Sequence, residues 1–309
     1  MVADLQAHGE FRGLTDRDWD ALLRAIDHKL CTPFLGAGSC AGVLPLGREI
    51  AQALAEEYGY PFPDTTNLMR VAQYVAVEGG GGPDEPRLRI KEALQHATPP
   101  DFSDPDEPHR VLSDLGLPLY ITTNYDDFML QALLRGRSPR PAQWDVCRWY
   151  LARRGKRIKA HVEPTPEQPL VFHLHGCLKT VESMVVSEDD YLDFLMFISE
   201  DRKLIPPRIE EAFASTSLLF MGYSLDDMSF KVLFRKLAIY MQVGQAARHV
   251  SVQLGPSDSE VDGNQVDRLR QQRKYLEEQF NLKGVKVYWG TCAQFAAELR
   301  WRWEAFHAH

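Results

Sequence analysis

Cys31-Thr-Pro-Phe-Leu-Gly-Ala-Gly-Ser39 is an apolar run that stops abruptly on small residues, with Pro33-Phe34-Leu35 leading straight into Gly36-Ala37-Gly38-Ser39. Arg48-Glu-Ile-Ala-Gln-Ala-Leu-Ala-Glu-Glu-Tyr58 then reads as a helix. A strand that ends in glycine lets backbone N–H groups approach a phosphate, and a helix N-terminus beyond it adds the positive end of a dipole. The Gly36-x-Gly38 spacing by itself fits a phosphate cradle and an ordinary tight turn equally well.

The rest of the chain supplies the context. Thr15 to Leu30 reads as a helix, capped by Thr15 and carrying Trp19, Leu22, Leu23 and Ile26 on one face. Thr66 to Val77 and Glu85 to His96 read as helices on either side of Gly79-Gly-Gly-Gly82-Pro83, and Pro99 to Pro108 reads as a loop. Residues 60–108 are therefore expected to form a mainly helical insertion between the first two strands of a sheet. Leu117-Pro-Leu-Tyr-Ile-Thr-Thr123, Leu170-Val-Phe-His-Leu-His-Gly176, Ser217-Leu-Leu-Phe-Met-Gly222, His249-Val-Ser-Val-Gln-Leu254 and Val285-Lys-Val-Tyr-Trp289 read as further strands, with a short one at Met184 to Ser187. Helices are expected at Phe128 to Leu134, Glu188 to Ile198, Lys203 to Phe213, Ser229 to Tyr240, Asp267 to Phe280 and Cys292 to Phe306. Alternating strands and helices, with several strands apolar on both faces, indicate an α/β fold: a doubly wound, mostly parallel Rossmann-like sheet. All 309 residues are expected to form a single nucleotide-binding domain carrying the 60–108 insertion.

Composition narrows the function. The net charge of −8 gives no basic field for nucleic acid or anionic membrane. Arg135 to Lys159 is rich in arginine with Trp144, Trp149 and Tyr150 interleaved, and reads as a solvated surface segment. No direct nucleic-acid binding is expected. Five cysteines at 31, 40, 147, 177 and 292, none with C-x-x-C spacing, argue against a disulfide framework and a four-cysteine zinc site. No apolar run reaches membrane-spanning length, and no signal peptide opens the chain, so no membrane association and a cytoplasmic location are expected.

In an open parallel sheet, ligands bind beyond the carboxyl ends of the strands. Four such ends carry polar or glycine tips: Gly36-Ala-Gly-Ser39, Thr122-Thr-Asn-Tyr-Asp-Asp127, His173-Leu-His-Gly176 and Gly222-Tyr-Ser-Leu-Asp-Asp227. Singly, Asn124 fits a helix cap, His175 a satisfied buried histidine, and Ser224 with Asp226 a second cap. Together they share one edge of the sheet and converge on one pocket.

The order Gly-Ala-Gly-Ser, Thr-x-Asn-x-Asp, His-Gly, Gly-x-Ser resembles the sirtuins. The forms Thr-Thr-Asn-Tyr-Asp-Asp and Gly-Tyr-Ser-Leu-Asp-Asp look like the divergent prokaryotic sirtuin-like branch found in phage-defence systems. That resemblance implies NAD as the ligand. Gly36, Ala37, Gly38 and Ser39 would hold its pyrophosphate. Asn124 would face the nicotinamide-side ribose and orient water or a ribose hydroxyl, with Thr123 beside it in the cofactor-binding set. Asp126 would bond the nicotinamide carboxamide, His175 would act as general base, and Gly222 and Ser224 would line the adenosine side.

The residue types suit the reaction. Cleaving the N-glycosidic bond of NAD develops oxocarbenium character at the ribose and releases a neutral nicotinamide. The site needs orientation and a base near neutrality, and unperturbed histidine titrates near ~6.5. An asparagine donates and accepts without charge. No metal is required.

Two departures from the deacetylating sirtuins bear on the reaction. The zinc module of two cysteine pairs is missing, with the helical insertion in its place. Ala41-Gly-Val-Leu-Pro-Leu-Gly-Arg48 stands where the Gly-x-Pro-Asp-Phe-Arg segment would be. Water then becomes the expected nucleophile, and the expected activity is NAD hydrolysis to ADP-ribose and nicotinamide, as an NAD-depleting effector of abortive infection. The alternatives are an NAD-dependent deacylase or ADP-ribosyltransferase and a non-catalytic NAD or ADP-ribose sensor. Unregulated NAD hydrolysis would poison its own cell, so the resemblance also implies control. The expected forms are homo-oligomerisation or a partner, such as a hexameric ATPase of the HerA type, a short Argonaute or another phage-sensing protein. The length is expected to leave no room for a separate sensor domain. Aromatic surface on the last helix (Phe295, Leu299, Trp301, Trp303, Phe306) is open to both interface and core readings.

Overall fold

The computed structural model describes residues 13–152, 163–200, 204–223, 231–232, 235, 249–254 and 263–308. Helix α1 (Asp16–Asp27) begins at its cap. Thr15 Oγ1 accepts the Asp18 N–H at 3.3 Å while the Asp18 carboxylate accepts the Thr15 N–H at 3.1 Å, so two orphan donors are satisfied reciprocally. β1 (Cys31–Leu35) follows, buried along its whole length. Then come α2 (Gly47–Glu57), α3 (Leu68–Glu78), α4 (Glu85–Leu94), α5 (Pro108–Asp114) and β2 (Leu119–Thr122). The order continues α6 (Phe128–Arg135), β3 (Gln143–Val146), α7 (Trp149–Ala152), β4 (Leu170–His173), α8 (Glu188–Glu200), α9 (Pro207–Ser215), β5 (Ser217–Met221) and β6 (His249–Gln253). The last elements are α10 (Gly263–Asn281), β7 (Val285–Trp289) and α11 (Cys292–His307).

Among the described residues the seven strands form one sheet in the order β3-β4-β2-β1-β5-β6-β7. Every pairing is parallel, with Phe34 opposite Ile121 on one side and Phe220 on the other. The chain works outward from β1 through β2 on one flank and resumes at β5 on the other, so the winding reverses between β1 and β5. Loops after neighbouring strands diverge there and open a crevice. Both faces are covered. Phe34, Ile121, Phe172, Leu218 and Phe220 meet Phe194, Ile209 and Phe213 on one side. Leu35, Tyr120, Val171, Leu219 and Met221 meet Trp19, Leu112, Leu133, Phe295 and Leu299 on the other. This two-faced burial is why the strands read as continuous apolar runs.

The helices between β1 and β2 build a third cluster, in which Ile50, Leu54, Val71, Val75, Ile90 and Leu94 close over Met184 and Val186. Arg87 of α4 fastens it to the sheet. Its buried guanidinium meets the buried Asp190 carboxylate and donates to the Met184 carbonyl at 3.1 Å. The other Asp190 oxygen accepts the Val186 and Ser187 N–H groups, so both ions of the pair are hydrogen-bonded as burial demands.

Several expectations change. Met184 to Ser187 is not a strand. Its N–H groups go to Val181 O, His175 O and the Asp190 carboxylate, and its alternating side chains serve two different cores. The arginine-rich segment contains the edge strand β3, and Trp149 is fully buried, its indole N–H donating to Ser183 O at 2.8 Å. Residues 108–114 are helical, beginning at a proline in the first turn, where its missing N–H costs nothing. On α11 the core reading holds for Phe295 and Leu299, with Trp303 and Phe306 packed at the edge of the same cluster. Trp301 remains 57% exposed. Ser224, Asp226 and most of the helix expected over 229–240 lie outside the described residues. Among those described, no helix is long and apolar enough to cross a membrane.

Candidate active site at the strand ends

The tips of β4, β2, β1 and β5 stand side by side in the sheet, and two of them interlock. The Gly36 N–H donates to Met221 O at 2.8 Å and the Gly38 N–H to Gly222 O at 3.0 Å. Gly222 has φ +81°, and a Cβ there would stand 2.3 Å from the Ser39 nitrogen and 2.5 Å from the Gly36 oxygen. Glycine is thus required for the β1 and β5 turns to touch at the switch point. Ser39 turns inward, its N–H and Oγ both donating to Gly36 O. Three N–H groups of the glycine turn are therefore committed to carbonyls of the fold. Ala37 and Gly38 face the opening, the first exposed and the second half-buried.

Tyr223 ties three strand ends together. Its hydroxyl donates to Leu35 O at 2.8 Å and lies 2.8 Å from Thr123 Oγ1, and its ring packs on Phe34 at 5.5 Å. Tyr223→Phe is expected to lower stability by about 1 kcal/mol, read by chemical denaturation, because one hydroxyl serves two partly buried hydrogen bonds. An unchanged midpoint would show that the ring alone holds the tips.

Asn124 stands at the centre. Its N–H is held by Thr122 Oγ1 at 2.9 Å. Its amide nitrogen faces three acceptors, Gly36 O at 3.2 Å, Ser39 Oγ at 3.3 Å and Cys40 Sγ at 3.4 Å. Two amide hydrogens spread over three acceptors fix the plane of the group. They leave Oδ1 without a protein partner among the described residues. The helix-cap reading of Asn124 gives way, because Asp126 Oδ1 accepts the Phe128 N–H at the start of α6. The other Asp126 oxygen accepts from the Cys40 thiol at 3.5 Å.

The two histidines at the end of β4 diverge. His173 is buried, and its Nδ1 donates to the Asn124 carbonyl at 3.1 Å, which fixes the tautomer and leaves Nε2 as acceptor. Burial lowers its pKa, against the pull of the Asn124 carbonyl and Asp126. His175 is edge-on to Phe194 at 4.9 Å and Tyr191 at 6.1 Å. Its Nε2 is shielded from solvent with no hydrogen-bond partner, and burial lowers its pKa to about 4. The ring is therefore neutral near pH 7, with its one orphaned polar atom waiting on a partner. Gly176 follows with φ +83°, where a Cβ would meet the Ser183 oxygen at 2.2 Å, so this turn also demands glycine.

Direct contacts thus join Gly36, Gly38, Ser39, Asn124 and Gly222, and Thr123 and Asp126 are tied in through Tyr223 and Cys40. His175 lies on the adjoining strand end with no bond to that group. His173, Cys40, His109 and Tyr223 enter the site unassigned by sequence reading. His173 had a legible signal, since it stands two residues before His175 in a run that reads as strand and would share a side with it, but β4 ends at His173 and the two rings part. Among the described residues no group of three or more His, Cys, Asp or Glu side chains is arranged to hold a metal ion.

A family model described as SIR2-like domain matches residues 118–283, just over half of the 309-residue chain. The chain belongs to the SIR2-like family. The matched span of this SIR2-like chain takes in Thr122 to Asp127, His173 to Gly176 and Gly222, while the Gly36 turn precedes it. Curated relatives named NAD(+) hydrolase ThsA are similar to it. The one from Acinetobacter baumannii (strain 532279) is 24% identical over 234 residues, 73% of this chain and 43% of the relative. The one from Bacillus cereus (strain MSX-D12) is 23% identical over 261 residues, 82% of this chain and 50% of the relative. That from Cytobacillus dafuensis is 24% identical over 232 residues, 74% and 41% respectively. The SIR2-like chain spans half or less of the length of these curated relatives. A solved chain from work titled "Structural Basis for the Mechanism and Regulation of Sir2 Enzymes" overlays with a TM-score of 0.43 at 14% identity, covering 94% of this chain and 99% of that one.

Proposed function

We propose that this chain hydrolyses the N-glycosidic bond of NAD, giving ADP-ribose and nicotinamide. The observation that carries the reading is the clamped amide of Asn124, whose nitrogen is spent on three protein acceptors so that its oxygen is left for a ribose hydroxyl or water. The similarity to relatives named NAD(+) hydrolase supports the choice of substrate.

In this reading the nicotinamide ribose lies against Asn124. The C1′–N bond breaks with its electron pair leaving on neutral nicotinamide, and positive charge develops at C1′. Water adds its oxygen to C1′. The proton it loses passes to the orphaned Nε2 of His175, directly or through a ribose hydroxyl, and is released when the products leave and water refills the site. Of the Gly36 to Ser39 turn, the exposed Ala37 and half-buried Gly38 receive the pyrophosphate by close backbone approach, while Gly36, Ser39 and Gly222 hold the turn in place. Asp126 accepts from the nicotinamide carboxamide. NAD depletion as a phage-defence output, under control of self-association or a partner ATPase, is the cellular role that the resemblance suggests.

Incubating the protein with NAD and following nicotinamide and ADP-ribose by chromatography tests the reading. Equimolar release of both is expected. Binding of NAD with no product would replace hydrolysis by sensing, and release of nicotinamide only with an acylated peptide present would replace it by deacylation.

A further inference from the structure

Behind Asn124 lies a buried array that the reaction above does not use. Glu107, which caps α5, accepts from His109 Nδ1 at 2.7 Å. His109 is 1% exposed and edge-on to Phe128 at 6.2 Å, and its Nε2 stands 3.8 Å from Cys40 Sγ. Cys40, 2% exposed, is within 3.4 Å of the Asn124 amide nitrogen and 3.5 Å of Asp126 Oδ2. A carboxylate, an imidazole and a thiol thus run in line into the two side chains proposed to grip the ribose and the carboxamide.

The chemistry of each link argues for positioning rather than nucleophilic attack. Burial works to raise the Glu107 carboxyl, but the His109 ring and the Arg110 and His109 N–H groups outweigh it and hold it below the usual range. Glu107 is therefore an ionised acceptor, and His109 Nδ1 carries a proton toward it. Burial, with the Asp126 carboxylate next, pushes the Cys40 thiol well above its ordinary value, so it stays protonated. A protonated thiol is a poor nucleophile. It remains a compact group whose single S–H faces two acceptors, Asp126 Oδ2 and His109 Nε2, and whose sulfur accepts from the Asn124 amide. The ring of His109, oriented by Glu107, fixes where that sulfur sits.

We infer that Glu107, His109 and Cys40 form a positioning array that sets the plane of the Asn124 amide and the direction of the Asp126 carboxylate for the reacting ribose. The inference deepens the NAD-hydrolase reading and rests on it for its kinetic consequence. An error of about 1 Å at a reacting group costs up to roughly 100-fold in rate, which is what a loosened amide would produce.

The test uses Cys40→Ala, Cys40→Ser, which keeps a donor and acceptor, and His109→Asn, which keeps a donor near Nδ1 but no longer reaches Cys40. Turnover of NAD by Cys40→Ala and His109→Asn is expected to lose about 10- to 100-fold in kcat with KM changed less than about threefold. Cys40→Ser is expected to recover most of it. In parallel, protein labelled with 15N-asparagine reports the Asn124 side-chain amide, assigned by its loss in Asn124→Ala. That resonance should shift in Cys40→Ala and return in Cys40→Ser. An unmoved resonance, or a kcat loss that tracks falling thermal stability and is not recovered by serine, overturns the array. A resonance that responds while the wild-type protein releases no nicotinamide sinks the NAD reading and keeps the array.

Discussion

Asn124→Ala lowers the rate of nicotinamide release by at least about 100-fold, with NAD binding measured by calorimetry changed far less. Removing one pre-oriented polar group from a site of developing charge costs roughly 2.7–4 kcal/mol of barrier, or 10²- to 10³-fold in rate. Asn124 is pre-oriented in that sense, because its nitrogen has no freedom among Gly36 O, Ser39 Oγ and Cys40 Sγ. The same geometry predicts that Asn124→Asp fails equally. A carboxylate would face the Gly36 carbonyl with no hydrogen to offer, so the nearly isosteric change places a like-signed oxygen against an acceptor and costs stability as well. An Asn124→Asp protein with near-normal turnover would show that Asn124 works through its oxygen alone and that the clamp is incidental. His175→Ala separates a second contribution. Its effect should appear in kcat and lie within the 10²- to 10⁴-fold range of general base catalysis.

How far the sequence could foretell this site depends on what each residue contacts. β1, β2, β4 and β5 were legible because a strand buried on both faces is apolar along most of its length, as Leu218 to Met221 is. Their tips were legible because glycine and polar residues break that run where a ligand would approach. β3 was not legible, since an edge strand with the sequence Gln-Trp-Asp-Val needs only one neighbour and no apolar pattern. The role of the glycine turn was half legible. Its small residues pointed to close approach, but the group that approaches in this structure is Gly222 of the neighbouring strand end, and three of the turn's N–H groups are committed within the fold. The link from His109 to Cys40 was invisible, because it joins residues 69 apart in sequence across an insertion that reads as mainly helical. Pairwise contact across such a distance leaves no period and no spacing to read. Tyr223 was hidden for the same reason: its partner Leu35 O is a backbone atom 188 residues away, which any sequence supplies.

Acidification produces the largest expected change in stability, and histidine sets its window. His249 at the start of β6 is 5% exposed, and its Nδ1 accepts the Leu218 N–H at 2.9 Å. Protonating that nitrogen would turn an acceptor into a donor facing a donor. Burial lowers its pKa to about 4, as it does for His175, and His173 moves in the same direction. A ring with folded pKa near 4 and unfolded pKa near ~6.5 binds more protons in the unfolded chain between those values. Stability therefore rises with pH across that window, is fully present above it, and is lost as pH falls. From His249 alone the protein should be about 2.5 kcal/mol less stable at pH 4.5 than at pH 7.5. His173 and His175 add to this with the same sign. The carboxylates held low, Glu107 and Asp127, act in a separate window, since their contribution is lost only as pH falls below the ordinary carboxylate range. Urea unfolding at half-unit steps from pH 7.5 to 4.5 reads the slope. His249→Asn keeps an acceptor near Nδ1 for the Leu218 N–H and removes the titration. That variant should be less stable at neutral pH through lost volume, yet its stability should fall by about 2.5 kcal/mol less over the same range. A slope identical to that of the parent would mean that His249 takes up protons equally in the folded and unfolded chains, so that its burial against the Leu218 N–H does not hold it neutral.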